Sequence, residues 1–104
     1  MEGKAEKEKV GEVRMIGKFA ISKAGHDKDK LYVILAWDEK NVYLVDGKYK
    51  TAASPKKKSI KHIQIVNQTV DKKLLEQICN KEPYIDDAIK YEIKQKLKSI
   101  EVEE

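Results

Sequence analysis

The chain has 104 residues, 40% of them apolar and 38% charged, with 22 basic groups against 18 acidic ones and a single cysteine. That length holds one domain with one modest core, and the lone Cys79 excludes an internal disulfide framework and points to a reducing compartment. No apolar run approaches the roughly 20 residues that span a bilayer. The alternating charges of Lys4, Glu6, Lys7, Glu8 and Lys9 do not read as a signal peptide, so a cytoplasmic protein with no membrane partner is expected.

Residues 1–14 are charged and without apolar periodicity, and read as a mobile tail. The first strand is expected over Ile16–Ser22, with Phe19 and Ile21 on one face. A lysine-rich loop centred on Gly25 follows. The second strand, Leu31–Trp37, carries Leu31, Val33, Leu35 and Trp37 on one face and Tyr32, Ile34 and Ala36 on the other. Apolar residues on both faces predict a central strand covered on each side. A polar hairpin loop, Asp38-Glu39-Lys40-Asn41, leads into Val42–Val45. Asp46-Gly47 then signals a two-residue turn into a fourth strand over Lys48–Ala53. After Ser54-Pro55 the run Lys56-Lys57-Lys58 reads as a basic loop, and Ile60–Val66 as a fifth strand. Five short strands with tight turns suggest a small closed barrel over residues 15–67, closure being one way to remove exposed edges.

Near Val70 the period changes from two to 3.6. Asp71 is a good N-cap for a helix bearing Leu74, Leu75, Ile78 and Cys79 on one stripe, with Asn80 ending it. Pro83 suits the first turn of a second helix, along which Ile85, Ala88, Ile89, Ile93, Leu97 and Ile100 form an amphipathic face. The Tyr32, Ile34 and Ala36 side of the second strand is the surface expected to receive these helices. Residues 68–104 are thus a helical extension of the barrel.

Charge is unevenly distributed. Residues 15–67 carry eleven lysines and five acids, residues 1–14 are balanced at four and four, and residues 68–104 carry seven lysines and nine acids. A positive middle segment favours a polyanionic partner. Lys23, His26, Lys28 and Lys30 surround Gly25, and Lys56, Lys57, Lys58 and Lys61 form a second basic element with His62 beyond it. Lysine ammonium groups neutralise phosphates and release counterions, while a glycine admits close backbone approach and unusual dihedrals. In a barrel the two basic elements could share one rim. Trp37 shares its face with apolar neighbours and reads as core. Tyr49, between Lys48 and Lys50, is the better ring for base stacking. The bland alternative for both basic elements is a pair of solvated turns.

Catalysis is not indicated. There is no glycine-rich phosphate loop, nucleophile elbow or paired carboxylates in an apolar setting. His26-Asp27-Lys28-Asp29 with the distant His62 lacks zinc-ligand spacing, so no metal and no cofactor are expected. Cys79, on the apolar helical stripe, reads as a buried inert thiol.

The strand Ile16–Ser22 running into Gly25, Asp27 and Lys28 resembles the KOW motif of ribosome-associated and transcription-elongation proteins, in which an apolar strand enters a loop with a fixed glycine and a following Asp-Lys. The next position of that motif is usually glycine, and here it is Asp29. The string Pro55-Lys56-Lys57-Lys58 with Ile60, Lys61 and His62 is similar to the corresponding segment of bacterial KOW-domain RNA-binding proteins, relatives of eukaryotic-type large-subunit ribosomal proteins. Together the two stretches cover about residues 16–64. The resemblance implies an SH3-like barrel and a non-enzymatic RNA-binding role in translation. Ribosomal RNA would be the partner, with ribosomal proteins as further partners and no small-molecule substrate. Lys23, His26, Lys28, Lys30, Lys56, Lys57, Lys58 and Lys61 would contact backbone phosphates and Gly25 would shape the loop. A protein-interaction adaptor using the barrel or the C-terminal helices is the competing reading, because a fold does not fix a function. DNA binding is a third, disfavoured in its major-groove form because Arg14 is the sole arginine and arginine is the commonest guanine reader.

Overall fold

The computed structural model describes residues 15–103; the expected tail over residues 1–14 lies outside them. Five strands, β1 (Lys18–Ser22), β2 (Leu31–Trp37), β3 (Asn41–Val45), β4 (Lys56–Ser59) and β5 (Ile63–Thr69), are followed by helices α1 (Lys72–Cys79) and α2 (Asp86–Glu103). All strand pairs are antiparallel, in the order β4-β3-β2-β1-β5. The outer strands β4 and β5 do not pair, so the sheet is open rather than a hydrogen-bonded closed barrel. Among the described residues no helix is long and apolar enough to cross a membrane.

Two apolar clusters lie on opposite faces of β2. Phe19, Leu31, Val33 and Val45 meet Val70, Leu74, Ile78, Ile85, Ile89 and Ile93 on one face. Ala20, Tyr32, Ile34, Val42 and Leu44 form the second cluster, flanked by Met15, Trp37, Ile60 and Ile63. Both faces of β2 are covered, as its composition requires, but the helices take the Leu31 and Val33 face and not the expected Tyr32, Ile34 and Ala36 face. Each large apolar side chain buried contributes roughly 1.5–3 kcal/mol. The six supplied from Val70 onward are therefore comparable with the whole net stability of a domain this size, and a chain ending before α1 would uncover Phe19, Leu31 and Val33.

Trp37 is the clearest parity error of periodicity alone. Val33 pairs with Val45 and Ile34 with Leu44, yet Ala36 pairs with Tyr43 and Trp37 with Val42. One extra residue therefore sits in β2 at Leu35. Such a bulge inverts the faces beyond it, and Trp37 joins Val42 and Leu44 instead of Leu31 and Val33.

The expected fourth strand over Lys48–Ala53 does not form. Asp46 Oδ1 accepts the backbone N–H groups of Lys48, Tyr49 and Lys50 at 2.8, 2.9 and 2.8 Å, coiling the chain into a wider loop than a two-residue hairpin. Pro55 precedes β4, and the lysine run expected as a loop is itself the edge strand. Three lysines on an outer strand discourage pairing with another chain. Ser59 then caps a 3₁₀ turn, Ile60–His62, that carries the chain across the sheet and delays β5 to Ile63.

Asp71 caps α1, its carboxylate accepting from Lys73 N at 3.0 Å, and Asn80 is the C-cap as expected. Glu82 N donates to Gln77 O and Lys81 N to Ile78 O, which is the Schellman arrangement with Lys81 in the left-handed place glycine favours (φ 56). Helix α2 starts at Asp86, so Pro83 lies ahead of it rather than in its first turn. Ile85, Ile89 and Ile93 are buried, while Leu97 is 45% exposed where the helix runs past the sheet; the Ile100 side chain is outside the described ones. Cys79 is exposed, contrary to expectation, because α1 buries Leu74 and Ile78 and turns the next position away.

Candidate nucleic-acid interface

The loop between β1 and β2 is organised around Asp27. Its backbone is closed by Ser22 N to Lys30 O at 3.0 Å, Asp29 N to Ser22 O at 2.7 Å and Lys28 N to Gly25 O at 3.2 Å. Asp27 Oδ1 accepts from the Ser22 hydroxyl at 2.8 Å and from Lys58 Nζ at 2.9 Å, and Oδ2 accepts from the Tyr32 hydroxyl at 2.9 Å. Lys56 Nζ stands 3.8 Å from Oδ2. Lys58 Nζ also donates to Ala24 O at 2.8 Å. The edge strand β4 is thereby tied to the β1–β2 loop across one end of the open sheet.

Burial pushes the Asp27 pKa up, but the bonds from Lys58, Ser22 and Tyr32 and the charge of Lys56 outweigh it and hold the carboxyl well below the ordinary 3.8. Burial and then the Asp27 carboxylate push the Tyr32 phenol above its ordinary 10.0, so Tyr32 remains a donor at neutral pH. Near β3, desolvation of Asp46 is outweighed by Lys30 and by the Lys50 and Lys48 backbone N–H groups, which lower its pKa.

The expected site residues divide into three groups. Lys23, Gly25, His26 and Lys28 on the loop and Lys61 on the 3₁₀ turn are exposed. They are neighbours, because Lys23 N donates to His62 O at 2.8 Å. No carboxylate lies within 4.0 Å of Lys23, Lys28, Lys57 or Lys61 among the described residues. Lys57 is exposed on the opposite side of β4 from its neighbours. Lys56 and Lys58 turn inward to Asp27, and Lys58 is only 10% exposed, so its ammonium serves as a strut and not as an open phosphate contact. Lys30 is likewise engaged, 2.8 Å from Asp46 Oδ2. The picture of two lysine-rich loops is corrected to one loop, a 3₁₀ turn and an edge strand that braces them. Tyr49 is 69% exposed, with Lys30 and Lys48 ammonium groups 4.9 and 5.0 Å from its ring centroid, and it faces α2 rather than the 3₁₀ turn.

Sequence reasoning missed the central role of Asp27, read there only as part of a motif and of a metal cluster that was set aside. A carboxylate followed by Lys28 looks solvated in one dimension, and its partners at positions 22, 32 and 58 become visible only on folding. Gly25 has φ 86, and a Cβ there would meet nothing nearer than Lys58 Nζ at 3.5 Å, so the dihedral and not space requires glycine. Asp29, where the KOW resemblance would lead one to expect glycine, also adopts positive φ, 74°. The backbone keeps the glycine conformation and the aspartate tolerates it. Asp29→Gly is therefore expected to be neutral or stabilising by up to about 1 kcal/mol, strain relief being partly offset by unfolded-state entropy. Asp29→Val should destabilise by about 1–2 kcal/mol. Thermal melts of the two variants check this ordering, and a Gly variant melting well below wild type would show the Asp29 side chain supporting the loop.

No protein-family profile and no curated protein sequence matches this chain.

Proposed function

We propose that this chain is a non-enzymatic RNA-binding module of KOW type, cytoplasmic and ribosome-associated, that grips RNA phosphates with the rim formed by Lys23, His26, Lys28 and Lys61. The observation that carries the reading is the Lys23 N to His62 O bond, which puts two basic segments nearly forty residues apart on one surface whose lysines have no carboxylate partner among the described residues. Unneutralised lysines on one rim attract a polyanion, and backbone contacts of this kind position RNA by its shape.

The finer fold reading is an SH3-like barrel. Support comes from the strand order β4-β3-β2-β1-β5, the bulge that bends β2, the 3₁₀ turn between β4 and β5, and the Asp27–Lys58 pair bridging one end.

A salt titration of RNA binding tests the rim. Replacing Lys23, Lys28 and Lys61 with alanine is expected to flatten the slope of log affinity against log salt by roughly 2, at about 0.7 per lost contact with a single strand. Melting temperature should hardly change, since exposed unpaired charges contribute under about half a kcal/mol. An unchanged slope would reduce these lysines to a solvated surface.

A further inference from the structure

A groove of about 370 Å³ lies between the β3–β4 loop and α2. Leu31, Ile93 and Leu97 give it an apolar floor beside the Tyr49 ring, Lys48, Lys90 and Lys94 line it, and its two carboxylates are Asp46, paired with Lys30, and the exposed Asp29. The volume falls within the range of small-ligand sites. Lys30, which also lines the groove, is pinned by Asp46 at 2.8 Å and lies 4.9 Å from the Tyr49 ring centroid. Lys48 also lies near the ring, at 5.0 Å, but is exposed and makes no ion pair among the described residues. It can swing from the ring to a phosphate. Lys90 and Lys94, one helical turn apart, face the same groove. Lys90 has only the exposed Asp87 at the 4.0 Å limit, and Lys94 has no carboxylate that close among the described residues.

We propose that this groove receives one unpaired nucleotide of a single-stranded RNA, its base stacked on Tyr49 above the Leu31, Ile93 and Leu97 floor and its flanking phosphates held by Lys48, Lys90 and Lys94. A bare anion has no use for the apolar floor, and an aliphatic ligand would leave three ammonium groups unneutralised. A nucleotide answers both, because every base has a π-face and every linkage a negative charge. The proposal rests on the RNA-binding reading and extends it, since the rim senses phosphates alone while the groove distinguishes a strand with bases from one without. It also makes α2 part of the binding surface.

The test compares oligouridylate with an abasic strand of equal length, by anisotropy, on the full chain. Wild type is expected to bind oligouridylate about 5- to 150-fold more tightly. Tyr49→Ala should remove that preference and Tyr49→Phe keep it, with the folds of both checked by melting. Lys90→Ala with Lys94→Ala should flatten the salt slope for both strands by about 0.7 per lysine. Equal binding of the two strands by wild type overturns the groove but leaves the rim reading intact. A base preference that survives alanine at Lys23, Lys28 and Lys61, with an unchanged salt slope, keeps the groove and removes the rim. Failure of both strands to bind overturns both. Protection of Tyr49 and Lys94 by a Glu/Leu peptide, but not by oligouridylate, in NMR spectra reassigns the groove to a protein partner.

Discussion

Gly47→Val is expected to destabilise this protein by about 3 kcal/mol or more, lowering the melting temperature by roughly 12–24 °C for a domain of this size. Two effects combine. The residue has φ 81, which strains any residue with a Cβ by about 1–2 kcal/mol. A Cβ there would also overlap the Asp86 carbonyl oxygen and lie 2.8 Å from Lys90 N, and these are backbone atoms of the first turns of α2 that no rotamer change can move. The helix start is already fixed from the other side, where Asp86 Oδ1 accepts from Ala52 N at 2.8 Å. Relieving the overlap must lift α2 and loosen Ile85, Ile89 and Ile93, and overpacking of this kind typically adds 1–3 kcal/mol. Gly25→Val is the control. Its φ is nearly the same but its surroundings are open, so only the strain of about 1–2 kcal/mol should appear. Thermal melts, with amide exchange in α2, separate the two effects. Equal losses at both glycines would show that α2 yields freely at its first turn.

Asp27→Ala is expected to be the most damaging change in the candidate interface, at about 3–5 kcal/mol. Removing the carboxylate leaves the Lys58 ammonium, 10% exposed, without its counter-charge and strips the Tyr32 hydroxyl of its acceptor, while the Ser22 hydroxyl keeps the Ala24 carbonyl at 3.1 Å. Replacing the partner as well, in Asp27→Ala with Lys58→Met, should recover much of the loss, because the penalty is mainly the stranded charge. Lys56, Lys57 and Lys58 changed together to alanine should likewise destabilise the loop, rather than only weaken RNA binding, through Lys58. The pH dependence has a definite sign. The folded Asp27 carboxyl holds its proton less tightly than the unfolded one, so protonation favours the unfolded chain. Its stabilisation is complete above the unfolded pKa of about 3.9 and is lost as pH falls through the lower folded value. Wild-type melting temperature should be nearly flat from about pH 5 to 8 and fall below about pH 4. In Asp27→Asn the acid limb should be shallower, with Asp46 and Asp38, both also lowered, contributing to what remains. An identical acid limb in the two proteins would place the acid sensitivity elsewhere.

The readable parts of the sequence are those set by neighbours along the chain. β2 spans Leu31–Trp37 as expected, because an unbroken run of seven apolar residues bounded by polar loops is a local signal. The Asp71 and Asn80 ends of α1 were legible because capping is decided within one turn. The basic character of residues 15–67 also followed from order and charge, whereas the adjacency of the Gly25 loop to Lys61 was expected only on an assumed barrel rim and is supplied in the open sheet by the Lys23 N to His62 O bond. Asp46-Gly47, by contrast, carried a turn signal whose outcome depended on three backbone N–H groups competing for one carboxylate, and the strand expected after it moved to the lysine run.

Local pattern determined β1 to β3, the two helices and that β2 needed cover on both faces, since periodicity is a property of the chain itself. Only the tertiary structure decided which face the helices cover, because a two-sided apolar strand is symmetric to its own sequence and a single bulge at Leu35 reverses Trp37. It alone decided which lysines stay open. Charge in a sequence carries no partner, and Lys58 differs from Lys57 only by pointing inward to a carboxylate 31 residues away. The groove that joins Tyr49 to Lys90 and Lys94 arises for the same reason, since Gly47 permits the backbone approach that brings α2 against the β3–β4 loop.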